Sequence, residues 1–156
     1  MLLNSGAIPT YFNDIKWAVV YRRDLLSQAV SYTIAEQTQQ WHSFESSNDI
    51  EPRYDFDVIK DRLNIIHSAY QSMGQLCQMM NVEPYIIYYE DFIEQPIQAT
   101  QAFATYLGSD SVQVKETRLK MRKQGNETNR LFKERFLADL DQRGRSEDAT
   151  AAQLTL

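Results

Sequence analysis

From Ile59 to Met80 apolar residues return four and then three positions apart, through Leu63, Ile66, Tyr70, Met73 and Cys77. At the helical period this is one continuous stripe, so the spacing predicts a helix that starts near Asp55 and ends near Asn81. Its flanks constrain the fold. Before it, the run Asp14 to Arg23 is rich in β-branched and aromatic residues. After it, Pro84 opens a second apolar run, Tyr85-Ile-Ile-Tyr-Tyr, that ends in Glu90 and Asp91. Both read as strands, the first buried and the second, which lacks alternation, covered on both faces as in a parallel sheet. Parallel strands need a crossover, and helices usually supply it. The order strand-helix-helix-strand-helix therefore defines an α/β layered domain, helix-rich with a small parallel sheet.

The remaining elements follow from caps and period. Asp24 offers an N-cap, and Leu26, Val30 and Ile34 recur four apart, so a helix is expected from Asp24 to about Trp41. The polar segment His42 to Arg53 reads as a loop. Pro96 is a favourable first helical position and Gly108 a favourable stop. A further helix covers about Asn126 to Gln142, and residues 143–156, without clear period, are expected to form a flexible tail after a domain of residues 1–142. Sheets usually have about four or more strands, so either short strands are not visible in the pattern or the rest of the sheet lies in chain outside this sequence.

Composition narrows the function. With 156 residues, 43% hydrophobic and 24% charged, the chain reads as one soluble globular domain. No apolar run approaches the roughly 18 to 20 residues of a membrane-spanning helix, and Met1 to Lys16 lacks the pattern of a secretory signal, so a cytoplasmic location is expected. Cys77 stands alone, and His42 and His67 have no zinc-site spacing, so no metal is expected. A net charge of -5 argues against nucleic acid as a partner, yet basic residues crowd into Lys115 to Arg135. A globally acidic, locally basic chain points to a small anionic ligand.

The segment Tyr21 to Tyr32 is where that ligand would sit. It places Arg22 and Arg23 at the carboxyl end of a strand and Ser31 two turns into the next helix. In open α/β sheets this edge binds ligands. A guanidinium offers a planar fork of donors that matches phosphate, and a helix N-terminus adds N–H groups and a positive dipole end. Ser31 follows Asp24 by seven residues and shares its helix face, with Ser27 and Gln28 between them. The competing interpretation is structural: an arginine at a strand end pairs with a carboxylate such as Asp24, and the serine faces solvent.

The segment resembles a known family. Arg23-x7-Ser31 after a hydrophobic strand looks like the 3′-phosphate-binding motif of sulfotransferases, and Arg22-Arg23-Asp24 with Gln28-Ala-Val-Ser-Tyr is similar to the form in bacterial trehalose 2-sulfotransferase relatives. Thr38, followed by Trp41-His42, sits where those relatives carry Thr-Gly-x-Trp-His, with Gln39 in place of the glycine. Tyr88-Tyr-Glu-Asp-Phe resembles their Tyr-Glu-Asp-Leu strand end, and Tyr106-Leu-Gly their Phe-Leu-Gly. Lys123-Gln124, Phe132 and Arg135-Phe136 resemble a carboxyl-terminal Arg-Gln, Trp and Arg-Phe. The resemblance implies a P-loop-NTPase-like three-layer sulfotransferase fold. It also implies 3′-phosphoadenosine 5′-phosphosulfate as donor and a hydroxyl of a sugar or glycolipid as acceptor. By the same resemblance Arg22, Arg23 and Ser31 would hold the 3′-phosphate, and Arg122 and Lys123 become donor contacts; a solvated basic helix is the plain alternative for the last two.

Other tempting residues have plainer expectations. Glu90 and Asp91 are expected to cap the next turn rather than act as acid and base. His42, beside Trp41, and His67, in the long helix, are expected to be structural, and the Tyr70, Met73 and Met80 stripe to be core. Sulfuryl transfer asks that a leaving phosphate be held by N–H groups and positive charge while a base takes the acceptor's proton. The family's glycine- and serine-rich loop for that task is not found, since Gly6, Gly74, Gly108, Gly125 and Gly144 are all isolated. The expectation is a carboxyl-terminal portion of a sulfotransferase, inactive alone, with no general base nominated and with an open sheet edge favouring a homodimer. The alternatives are a non-catalytic remnant that keeps the scaffold as an interaction module, and a kinase-like phosphotransferase, against which the missing Gly-x4-Gly-Lys-[Ser/Thr] loop counts.

Overall fold

The computed structural model describes residues 15–41, 50–109 and 126–153. Along the chain run β1 (Ala18–Tyr21), α1 (Leu25–Thr38), α2 (Phe56–Met79), β2 (Tyr85–Tyr88), α3 (Tyr89–Glu94), α4 (Pro96–Tyr106) and α5 (Glu127–Gln153). They divide into two compact units, one drawn from Met1–Tyr21 and Met73–Leu119, the other from Arg22–Ser72 and Lys120–Leu156.

The first unit holds the sheet. β1 and β2 pair in parallel, with Ala18 opposite Tyr85 and Tyr21 opposite Tyr88. The Trp17 carbonyl accepts from the Tyr85 N–H at 2.8 Å and from the Tyr106 hydroxyl at 2.9 Å. Tyr85 also stacks on Tyr106, centroids 4.9 Å apart, and lies 5.6 Å from Phe103, which fastens α4 to β2. Both strands are shorter than the apolar runs. β2 gives way at Tyr89 to the short α3, so the ladder has only four pairs. The strands are also not covered on both faces, contrary to expectation. Val20 is 60% exposed and Ile86 47%. Val20 is paired with Ile87 and Ile86 with Val19, so alternation puts the two exposed side chains on opposite faces. Glu90 and Asp91 lie in the first turn of α3, the end of a helix dipole that favours negative charge.

Two helices end alike. After α2, Asn81 takes φ 50°, its N–H bonds to the Gln78 carbonyl and that of Val82 to Cys77. After α4, Gly108 takes φ 81°, with the same two bonds from Gly108 to Thr105 and from Ser109 to Ala104. Each is a Schellman closure, which needs a left-handed residue just past the helix and finds it in the two residue types that tolerate it best.

The second unit is three helical segments around one apolar cluster. Ala29 and Val30 of α1, Phe56 and Ile59 of α2 and Phe136 of α5 are buried, and Leu26, Ile34, Leu63, Ile66, Tyr54 and Phe132 pack against them. Phe56 and Phe136 stack at 4.7 Å with planes 15° apart. Each helix starts on a polar cap: the side chains of Asp24, Asp55 and Asn126 accept from the N–H groups of Ser27, Val58 and Asn129. α1 ends at Thr38 rather than Trp41, because Gln39 turns left-handed at φ 56°. α5 runs on to Gln153, past the expected boundary at Gln142, and Arg143 bonds to Asp57 at 3.0 Å over the face of Phe56. His67 lies on the exposed side of α2, and Met73 is also exposed, whereas Cys77, further along the same stripe, is buried.

Candidate functional site

The start of α1 gathers most of the residues singled out by sequence. Arg22 and Arg23 occupy the turn after β1, Arg22 half-buried with its Nε out of reach of solvent and Arg23 exposed. The Tyr70 hydroxyl of α2 accepts from the Arg22 backbone N–H at 2.9 Å and donates to Gln28 Oε1 at 3.0 Å. One phenol thus ties the arginine turn to the first turn of α1.

Asp24 caps that helix twice over. Its Oδ1 accepts from the Ser27 N–H at 2.9 Å and its Oδ2 from the Ser27 hydroxyl at 2.7 Å. Lys133 of α5 pairs with the same Oδ2 and donates to Ser27 Oγ at 3.0 Å. Burial works against the charged form of this carboxyl. The Lys133 ammonium, the Ser27 N–H and the Ser27 hydroxyl together outweigh it and hold the pKa down at about 2. The acidic cap is therefore ionised and matched by a lysine.

One helical turn beyond Ser27, Ser31 is half-buried, and its Oγ accepts from Asn129 Nδ2 of α5 at 3.0 Å. Asn129 is itself held by the start of its own helix: its N–H donates to Asn126 Oδ1 at 3.1 Å, and its Oδ1 accepts from the Asn126 N–H at 3.3 Å. This is a reciprocal capping box built from two asparagines. Asp24, Ser27, Gln28 and Ser31 do share one face of α1, as their spacing predicts, and α5 and α2 supply the groups that engage it.

Three contributors were not singled out for the site by sequence. Lys133 and Asn129 lie four apart on α5 and so share a face, a spacing visible in the sequence although its target was not. Tyr70 belongs by its spacing to the core stripe of α2. Arg122, Lys123 and His42 lie outside the described residues. Trp41 is exposed, 5.5 Å from Tyr32, and the Arg62 guanidinium, paired with Glu36 at 2.7 Å, also lies over the Tyr32 ring. Phe132 and Arg135 meet the Tyr54 ring, at 5.6 Å and 4.2 Å, and Phe136 is core, so this part of the resemblance holds the helices together. Arg130 is committed to Glu127 and Glu134 on its own helix.

A cavity of about 370 Å³ in the first unit runs beside β2 and includes Asp91, Glu94, Gln95 and Gln98. Two carboxylates make it a poor place for an anion. Among the described residues no group of three or more His, Cys, Asp or Glu is placed to hold a metal ion, and no helix is long and apolar enough to cross a membrane.

The class so defined is a helix-rich α/β protein with a parallel strand pair, in which a strand feeds directly into a capped helix. Residues 6–139 match the family model described as Stf0 sulphotransferase, and the chain belongs to that family, the sulfotransferases of the trehalose 2-sulfotransferase type. No curated protein was found to match it. The matched span takes in β1, the whole of α1 and the Glu127 to Asp139 part of α5 with its cap Asn126, so every residue described at the start of α1 falls within it.

Proposed function

We propose that the start of α1 holds the 3′-phosphate of 3′-phosphoadenosine 5′-phosphosulfate, with Arg22, Arg23 and Ser31 as its contacts and Arg122 and Lys123 as further contacts to the donor. The sulfuryl group passes to a hydroxyl of a sugar or glycolipid: the acceptor oxygen bonds to sulfur and gives up its proton to solvent, the sulfur–oxygen bond to the nucleotide breaks, and adenosine 3′,5′-bisphosphate leaves. The family match supports a sulfuryl donor in general; the 3′-phosphate and the acceptor follow the resemblance of the motifs.

The observation that carries this is the composition of the helix start. Arg22 and Arg23 occupy the turn that leads into α1, and the cap carboxylate of Asp24 is ion-paired with Lys133. Guanidinium forks beside a helix N-terminus suit a phosphate. Ser31 lies about 10 Å further along the helix by rise alone. A long arginine side chain and a phosphate would fill that gap between them.

The test is thermal unfolding of the 156-residue chain with adenosine 3′,5′-bisphosphate and with adenosine 5′-monophosphate. Binding to the folded state raises the midpoint, by about 2.7 kcal/mol of stability at a hundredfold excess over Kd. The bisphosphate is expected to protect more than the monophosphate, and an Arg23→Ala, Ser31→Ala double variant to lose the difference. Equal protection, or none, would favour a scaffold that has lost the donor site.

A further inference from the structure

We infer that Asn129 is a positioning residue that sets the direction of the Ser31 hydroxyl proton, making Ser31 a donor toward a bound anion. The inference rests on Ser31 being a 3′-phosphate contact, as proposed above.

A serine hydroxyl carries one proton and two lone pairs. Left alone on a helix it commonly turns that proton back to a carbonyl one turn earlier, as Thr33 does to Ala29 at 2.9 Å and Thr38 to Ile34 at 2.9 Å on the same helix. Ser31 is bonded differently: it accepts from Asn129 Nδ2. An accepted bond occupies a lone pair and leaves the proton available to donate.

Which end of the Asn129 amide faces Ser31 is decided by Asn126. A backbone N–H can only donate, so the Asn129 atom that meets the Asn126 N–H is the carbonyl oxygen. The other end, facing Ser31, is therefore the NH₂ group. Two donors cannot hydrogen-bond to each other through their protons, so Ser31 must accept, and its own proton must point elsewhere. The reciprocal cap at the start of α5 thus fixes a proton on α1, and an anion is the partner such a proton suits. Asn126, Asn129 and Lys133 repeat at three and four residues on one face of α5, so the same face also neutralises Asp24.

The experiment measures Kd for adenosine 3′,5′-bisphosphate and adenosine 5′-monophosphate, by titration calorimetry on the 156-residue chain, for Asn129→Ala, Asn129→Asp, Ser31→Ala and the Asn129→Ala, Ser31→Ala pair. Asn129→Ala is expected to weaken the bisphosphate roughly fivefold, the loss of one neutral hydrogen bond, and to leave the monophosphate unchanged. Asn129→Asp keeps an oxygen for the Asn126 N–H, but its other oxygen would accept from Ser31 and take the proton away. It should weaken the bisphosphate further while its unliganded melting temperature stays nearer to wild type than that of Asn129→Ala. In the paired variant Asn129→Ala should add nothing to Ser31→Ala. Additive losses in the pair, or equal losses for both nucleotides, overturn the positioning role and leave the donor site standing. A wild-type chain that binds both nucleotides equally, or a Ser31→Ala variant that still prefers the bisphosphate, removes the 3′-phosphate contact itself, and the inference with it.

Discussion

Lys133 on α5 is ion-paired with Asp24 at the start of α1, 109 residues away in sequence. The bond joins the cap of one helix to the middle of another and also reaches the Ser27 hydroxyl. It is half-exposed, with side-chain exposures of 34% and 42%, so its worth is set by water and salt as well as by geometry.

Replacing Lys133 with methionine keeps the stem and removes the charge. The cap carboxylate would then lose its counter-ion and one strong hydrogen bond, and the expected cost is about 1 kcal/mol. Urea unfolding should show a lower midpoint with an unchanged slope. Lys133→Arg should recover part of the loss, and raising the salt should narrow the gap between wild type and Lys133→Met. A gap that ignores salt would mean that packing, not charge, was removed.

Acid should expose the same bond. Asp24 titrates at about 2 in the folded chain, below the roughly 3.9 of an unfolded aspartate. Above about pH 4 it is ionised in both states and its stabilisation is fully present; as pH falls toward 2 the unfolded chain takes up the proton first, and the stabilisation drains away. After discounting for exposure this is on the order of 1 kcal/mol. The difference in stability between wild type and Asp24→Asn, measured from pH 5 to pH 2, should shrink across that window. A constant difference would detach the cap from the titration.

Left-handed positions should respond in opposite directions. Gln39 ends α1 at φ 56°, where glycine carries no steric penalty, and this is the position at which the resembling relatives have glycine. Gln39→Gly is expected to stabilise by about 0.5 to 1 kcal/mol, offset by whatever the Gln39 side chain gains from its 2.7 Å bond to the Glu36 carbonyl. Gly108→Ala should destabilise by about 1 kcal/mol. An added methyl there meets no atom within 4 Å, so the whole effect comes from φ 81°. Thermal midpoints that move together for the two variants would contradict the conformational explanation.

The aromatic stack lies in the core of the second unit. Phe136→Ala should cost about 3 to 5 kcal/mol, because it empties the site against Phe56. Leu137→Ala, one residue on and 50% exposed, should change stability by no more than about 0.5 kcal/mol. Chemical denaturation of both variants separates a core position from its neighbour.

Much of this was legible from periodicity and caps. The stripe from Ile59, the cap at Asp24, the start at Pro96 and the stop at Gly108 are local, and local rules found them. The parallel pairing of β1 with β2 followed from their order alone. What escaped depends on chain far away. Exposure of Val20 and Ile86 is decided by which elements cover the sheet, and hydrophobic composition cannot report that. Lys133 and Asn129 looked like surface residues of a polar helix, since nothing local says that the opposite helix carries a carboxylate and a hydroxyl at matching heights. The persistence of α5 to Gln153 was missed because residues 143–156 have no apolar period to announce it.

Because Val30, Ile59 and Phe136 meet in one cluster, that cluster cannot close while the chain is still being made and α5 is inside the ribosome. α1 and α2 would emerge with their apolar faces uncovered for the whole interval needed to translate about sixty further residues, from Met80 through the matched end of the family at Asp139. A nascent chain of this kind has reason to meet a chaperone, and slower translation before codon 136 should raise its tendency to aggregate.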